Sequence, residues 1–242
     1  MRALILPVSG DPGVVWRVGY QPDPWWWTPW EYAHDDGRFN GRWDDQSAQF
    51  RTLYTSDSLL GCFLELLAAL RPNQVAYAEL ADIVDDAADE RPETPDPEPG
   101  AVGLEWLSGR LYGRAVLTGT YAEVSRAEAL AHMVKAGVFE RLGIPDRDVD
   151  VALLKDARQR EVTRTVARYL YDLRDPDRQP LVDGIAFRSR MGDDIRLWAV
   201  FERGDQPVSE RIAPDSDYEA VTDETPELDH AFAFFNLHWR ER

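Results

Sequence analysis

A chain of 242 residues with a formal net charge of −17 lacks the basic field that nucleic acid or an anionic membrane would require. Its 44% hydrophobic and 29% charged residues are ordinary for a soluble globular protein. The length suits one substantial core, so a single domain over residues 1–242 is expected. One cysteine, Cys62, excludes an internal disulfide and points to a cytoplasmic setting. His34, His132, His230 and His238 form no metal-ligand pair, so no metal site is expected. The opening MRALILPVSG is too short an apolar run for a signal peptide, and no later stretch approaches the length of a membrane span.

In chain order, residues 2–8 and 14–20 read as strands around the turn Gly10-Asp11-Pro12-Gly13. The second, VVWRVGY, is apolar apart from Arg17, which needs a partner or a ligand there. Trp25, Trp26, Trp27 and Trp30 follow in a loop broken by prolines. They suit an aromatic platform for a planar or sugar ligand, or rings folded onto the core or a partner; the second use is favoured. Gly37 to Trp43 is turn-like and delivers Arg42, followed by Asp44 and Asp45.

The stretch Gly41–Leu70 organises the rest. A strand over Thr52–Ser56 leads into a helix that Ser56 or Asp57 can cap. Leu59, Leu60, Phe63, Leu64, Leu66, Leu67 and Leu70 recur at helical spacing. Glu65, the helix's single charge, falls nearly opposite them among Ser58, Gly61, Cys62, Ala68 and Ala69. A solvated helix back carries many long polar side chains; small residues around one carboxylate predict a surface that something approaches closely. The alternative is a helix packed on both faces with Glu65 paired to a structural arginine. Cys62 has no basic neighbour in sequence and reads as a small core residue.

Residues 79–100 carry nine acids and one base between Glu79 and Glu98, with Pro92, Pro95, Pro97 and Pro99, and are expected to form a mobile surface insertion. Arg114–Tyr121 reads as a strand. Ser125 and Glu128 have the spacing of a capping box, opening a helix that ends near Gly137 or Gly143. Asp150–Leu173 reads as helical, broken near Ala157. Its arginines, Arg158, Arg160, Arg164 and Arg168, mostly form a solvated face, with one or two free to line a pocket. Asp183–Arg190 and Ile195–Phe201 make a hairpin-like pair around Met191–Asp194. Thr225-Pro226-Glu227 opens a last helix with proline at its first position. No repeats are visible, and the order of elements fits an α+β domain with a mixed, partly antiparallel sheet and flanking helices.

The ordered set Arg17, Gly41-Arg42-Trp43, Tyr54-Thr55-Ser56, Glu65, Asp183-Gly184-Ile185, Ser189-Arg190 and Trp198–Phe201 resembles the RES domain family, from about residue 14 to 202. The resemblance implies a fold related to ADP-ribosyltransferases. It also implies an enzyme that consumes NAD by phosphorolysis or hydrolysis, as in toxins of toxin–antitoxin pairs, with an antitoxin protein as partner. NAD would be substrate rather than cofactor, and inorganic phosphate a co-substrate. By the same resemblance Glu65 and Arg42 are catalytic, and Arg17, Trp43, Tyr54 and Ser189 contact substrate. Protein ADP-ribosylation, and a non-catalytic binding module using Trp25–Trp30, are the other readings, and oligomeric assembly is left open.

Overall fold

The computed structural model describes residues 5–72, 98–156 and 158–240. The acidic insertion expected at 79–100 lies, but for its last three residues, outside the described residues. The architecture is α+β, as the order of elements predicts. Strands β1 (Val8–Ser9), β2 (Gly13–Tyr20), β3 (Thr52–Ser56), β5 (Arg110–Leu117), β6 (Tyr121–Glu123), β7 (Gly184–Arg188), β8 (Arg196–Phe201) and β9 (Ile212–Ala220) form one sheet in the order β1-β6-β7-β8-β3-β2-β5-β9. Only β6 and β7 run parallel in it. Two short strands, β4 (Ala101–Val102) and β10 (His238–Trp239), pair separately. The helices are α1 (Leu59–Leu67), α2 (Ala127–Lys135), α3 (Val151–Lys155), α4 (Arg160–Asp172) and α5 (Pro226–Phe235). Among the described residues no helix is long and apolar enough to cross a membrane.

Strand alternation divides the core. On β8, Leu197, Ala199 and Phe201 join the α2 and α4 residues Met133, Val166 and Leu170 on one face. Trp198 and Val200 point the other way, onto Trp25 and Trp27. The tryptophan loop therefore behaves largely as favoured: Trp25 and Trp27 are buried, while Trp26 and Trp30 stay 45% and 39% exposed. A third cluster packs α1 against α5 through Phe63, Leu67, Ala231 and Phe232.

Several local expectations shift. The first strand begins at Val8 rather than residue 2, and residues 1–4 lie outside the described residues. Ser58, not Ser56 or Asp57, caps α1: its backbone is extended and its Oγ accepts from Gly61 N at 3.1 Å. Ser56 is still in β3, where its Oγ reaches Arg196 O. The capping box at Ser125 does not form. Helix α2 starts one residue later with Arg126 at its N-cap, and Glu128 turns back to pair with Arg126. Arg114–Tyr121 is two strands, because Gly119 at φ +104° turns the chain between β5 and β6. The 150–173 helical stretch is broken as expected, into α3 and α4, between Lys155 and Arg160. Thr225 and Pro226 start α5 as expected.

Candidate active site

The site follows from a fault in the sheet. Strand β2 pairs with β5 along its whole length, from Gly13 to Tyr20, but meets β3 only at Trp16↔Ser56. Beyond that pair the two strands part, and a cavity of about 590 Å³ opens beside them, a size suited to a small-molecule ligand. Its walls are Arg17–Tyr20 of β2, Tyr54 and Thr55 of β3, and Cys62, Glu65, Leu66 and Ala69 from α1 and the turn after it. Asn40–Arg42, Arg110, Arg160, Phe187 and Arg190 also line it, with Thr28 and Leu197.

Arg17 spans the gap. Its Nη1 donates to Tyr54 O at 3.0 Å and its Nε to Pro24 O. The partners of this strand arginine are backbone carbonyls, with no carboxylate paired to it among the described residues. Burial pulls its pKa down to about 10, against the opposing influence of Cys62 and Tyr54. Gly19, two residues on, lets Pro24 approach: a Cβ there would collide with the Pro24 backbone.

Glu65 projects from α1 into the cavity. Ser189 Oγ donates to Glu65 Oε1 at 2.5 Å, and Met191 N donates to Ser189 Oγ at 2.9 Å. Ser189 is buried behind the carboxylate. The alternative of Glu65 paired to a structural arginine is not what forms: no ion pair joins Glu65 to a described residue.

Arg42 is 8% exposed and lines the cavity, its guanidinium 5.5 Å from the Phe187 ring. It makes no hydrogen bond or ion pair with any described residue. Burial depresses its pKa; Glu65 opposes that depression, while Arg190 and Arg160 add to it. A buried cation left unpaired beside two more cations is costly unless an anion completes it.

Tyr54 lines the cavity, but its hydroxyl is occupied: it donates to Asp44 Oδ1 at 2.9 Å and accepts from Trp43 N at 2.8 Å. Burial, then the Asp44 charge, holds this phenol well above its ordinary pKa, so the ring is what Tyr54 presents. Trp43 needs a correction. Its side chain is 1% exposed and packs in the core, edge-on to Phe187. It cannot touch a substrate through its ring, because the turn that aims Arg42 into the cavity sends the next side chain inward.

Sequence reasoning missed part of the wall. Arg110 stacks over Trp106 and Tyr20. Arg160 and Arg190 line the cavity beside Arg42. Arg160 was one of four helix arginines, and nothing in the pattern separated it from Arg164, which reaches Phe39 O, or Arg168, which pairs with Asp172. Thr55 Oγ1 is buried in the wall without a hydrogen-bond partner among the described residues.

Among the described residues, the cavity is thus lined by one carboxylate, Glu65, and five arginines, Arg17, Arg42, Arg110, Arg160 and Arg190. The sequence matches the RES domain family model over residues 14–223, and the chain belongs to that family. A chain of the M. tuberculosis MbcT-MbcA toxin–antitoxin complex is similar in structure, at 14% identity and a TM-score of 0.44, over 94% of this chain and 91% of that one. No curated protein sequence matches.

Proposed function

We propose that this protein consumes NAD by cleaving the bond between nicotinamide and ribose. The observation that carries the reading is Glu65: among the described residues it is the one acid lining a cavity that also bears Arg17, Arg42, Arg110, Arg160 and Arg190, in a chain of net charge −17. Arginines gathered against that overall charge suit a diphosphate, because planar guanidinium forks match phosphate oxygens. RES membership supports NAD as the ligand. Heterolysis of the ribose C1′–N bond sends its electron pair to the pyridinium nitrogen and releases neutral nicotinamide. The sugar is left with cation character, as in glycoside cleavage. A carboxylate fixed beside the ribose stabilises that charge as it develops, and Ser189 holds Glu65 in place to do so.

The acceptor at C1′ is an oxygen of inorganic phosphate or of water. Transfer to a protein side chain is disfavoured by the lining: no second acid is there, among the described residues, to activate an acceptor. The RES family supports a further reading of this chain as the toxin of a toxin–antitoxin pair, with a protein antitoxin as partner. A binding module using the tryptophan loop is weakened by the burial of Trp25 and Trp27.

The test is NAD consumption by purified protein with and without inorganic phosphate, beside Glu65→Gln, which keeps an acceptor for Ser189 Oγ. Phosphate-dependent loss that disappears in the variant identifies a phosphorylase, and phosphate-independent loss a glycohydrolase. A folded protein that leaves NAD intact in both buffers overturns the reading.

A further inference from the structure

Arg42 makes no hydrogen bond or ion pair with a described residue, yet the backbone on each side of it is held. Gly41 N donates to Asp44 Oδ2, and Trp43 N donates to Tyr54 Oη at 2.8 Å. The two acceptors are themselves joined, since Tyr54 Oη donates to Asp44 Oδ1 at 2.9 Å. Asp44 is 4% exposed and stands outside the cavity lining, so it does not meet a ligand. Its two oxygens accept from an amide and a phenol, and the charges of Arg164 and Arg160 also favour its ionised form. That set of donors and cations suits the ionised carboxylate, although burial pushes its pKa up.

The turn is built tightly around this pair. A Cβ on Gly41 would come within 3.0 Å of Tyr54 Oη and of both Asp44 oxygens, so only glycine lets the clamp close. Thr52 Oγ1 adds a bond to Trp43 O at 3.2 Å, and Arg164 reaches Phe39 O. A side chain with four rotatable bonds and no bond of its own is aimed mainly by its backbone and its packing.

We propose that Asp44 is a positioning residue for Arg42: with Tyr54 it fixes the peptide units on both sides of that arginine and so aims an unpaired guanidinium into the cavity. The effect on turnover rests on the NAD reading above; the geometric effect does not.

The experiment reads both. Amide hydrogen exchange of Gly41 and Trp43 and the Arg42 Nε–H resonance are measured by NMR in the wild type, Asp44→Asn and Tyr54→Phe. Asn keeps the shape but cannot accept both bonds, and Phe removes the acceptor for Trp43. Exchange at the bonded amides is expected to speed up about tenfold or more and the Arg42 resonance to move, while amides of Val166 and Leu170 keep their rates. Unchanged amides, or core amides that speed up by the same factor, would overturn the proposal. In parallel, NAD consumption is measured for Asp44→Asn, Arg42→Ala and the double variant. The Asp44→Asn loss is expected to vanish in the Arg42→Ala background; a loss that persists there in full refutes positioning. A wild type that leaves NAD untouched refutes the NAD reading alone, and the exchange data still decide the clamp.

Discussion

Ser189 Oγ and Glu65 Oε1, 124 residues apart in sequence, meet at 2.5 Å. A carboxylate only accepts, so the serine hydroxyl donates to it, while Met191 N donates to the same Oγ. One Glu65 oxygen is thereby held, and the other is left for the cavity. Ser189→Ala removes a hydrogen bond to a charged group, worth roughly 1.5–3 kcal/mol. Turnover of NAD should fall about 10- to 100-fold with little change in KM, read by steady-state kinetics. An unchanged kcat would show that Glu65 needs no such support.

Trp26 and Trp27 are adjacent but differ in role. Trp27 is 4% exposed and its Nε1 donates to Gln206 O at 3.1 Å. Trp27→Ala should cost about 3–5 kcal/mol, as large aromatic truncations in a core do. Trp26→Ala should change stability by less than about 1 kcal/mol. Urea titrations of the two variants check this. Equal losses would mean that Trp26 also packs in solution. A surface role for the loop therefore has to be tested through Trp26 and Trp30, because replacing Trp27 would damage the core.

The parts of the fold legible in the sequence were those with a local cause. Glu65 stood out because its helix back is otherwise small residues, and Arg17 because its strand is otherwise apolar. Thr225 and Pro226 marked α5 by their own chemistry. Strand β9 was missed: IAPDSDYEA contains a proline and three acids, and it is a strand because it lies along the exposed edge of β5, where charge and proline are tolerated. The arginines of the cavity were legible only in part. Arg160 and Arg164 lie on one helix with the same composition around them, and which one faces the cavity depends on where α4 lies across the sheet. The clamp on Arg42 was hidden for the same reason. Asp44 read as one of an acidic pair after a turn, and only the fold brings it under Tyr54.

Arg160 and Arg190 share the cavity wall with Arg42 and make no side-chain hydrogen bond to a described residue. Each is therefore free to donate to an anion. Arg190→Gln and Arg160→Gln should each weaken NAD binding by about 10- to 100-fold, the range for hydrogen bonds to charged groups. Arg190→Gln should leave the fold intact; Arg160→Gln also removes a cation that acts on buried Asp44, so its thermal stability is measured alongside. The measurement is KM for NAD at two salt concentrations. Wild-type KM should rise with salt more steeply than that of either variant. Variants with wild-type KM and salt dependence would show that these arginines do not meet the substrate.

Cys62 lines the same cavity, yet it should be chemically inert. Burial pushes its thiol from 9.0 to about 12, outweighing the lowering influence of Arg17. Its S–H donates to Trp16 O at 3.2 Å. The thiolate is the reactive form, so native protein at pH 8 should resist iodoacetamide and denatured protein should react fully, as mass spectrometry would show. The same shift carries a pH dependence of known sign. The folded-state pKa is raised above the unfolded value, so the stabilisation is complete below about 9 and is lost as pH rises towards about 12, where only the unfolded thiol ionises freely. Other groups titrate in this range, so the comparison is with Cys62→Ala. The stability of the wild type should fall faster than that of the variant between pH 8 and pH 11. Parallel curves, or rapid alkylation of the native protein at pH 8, would mean that the thiol is solvated and that the cavity is open to water down to α1.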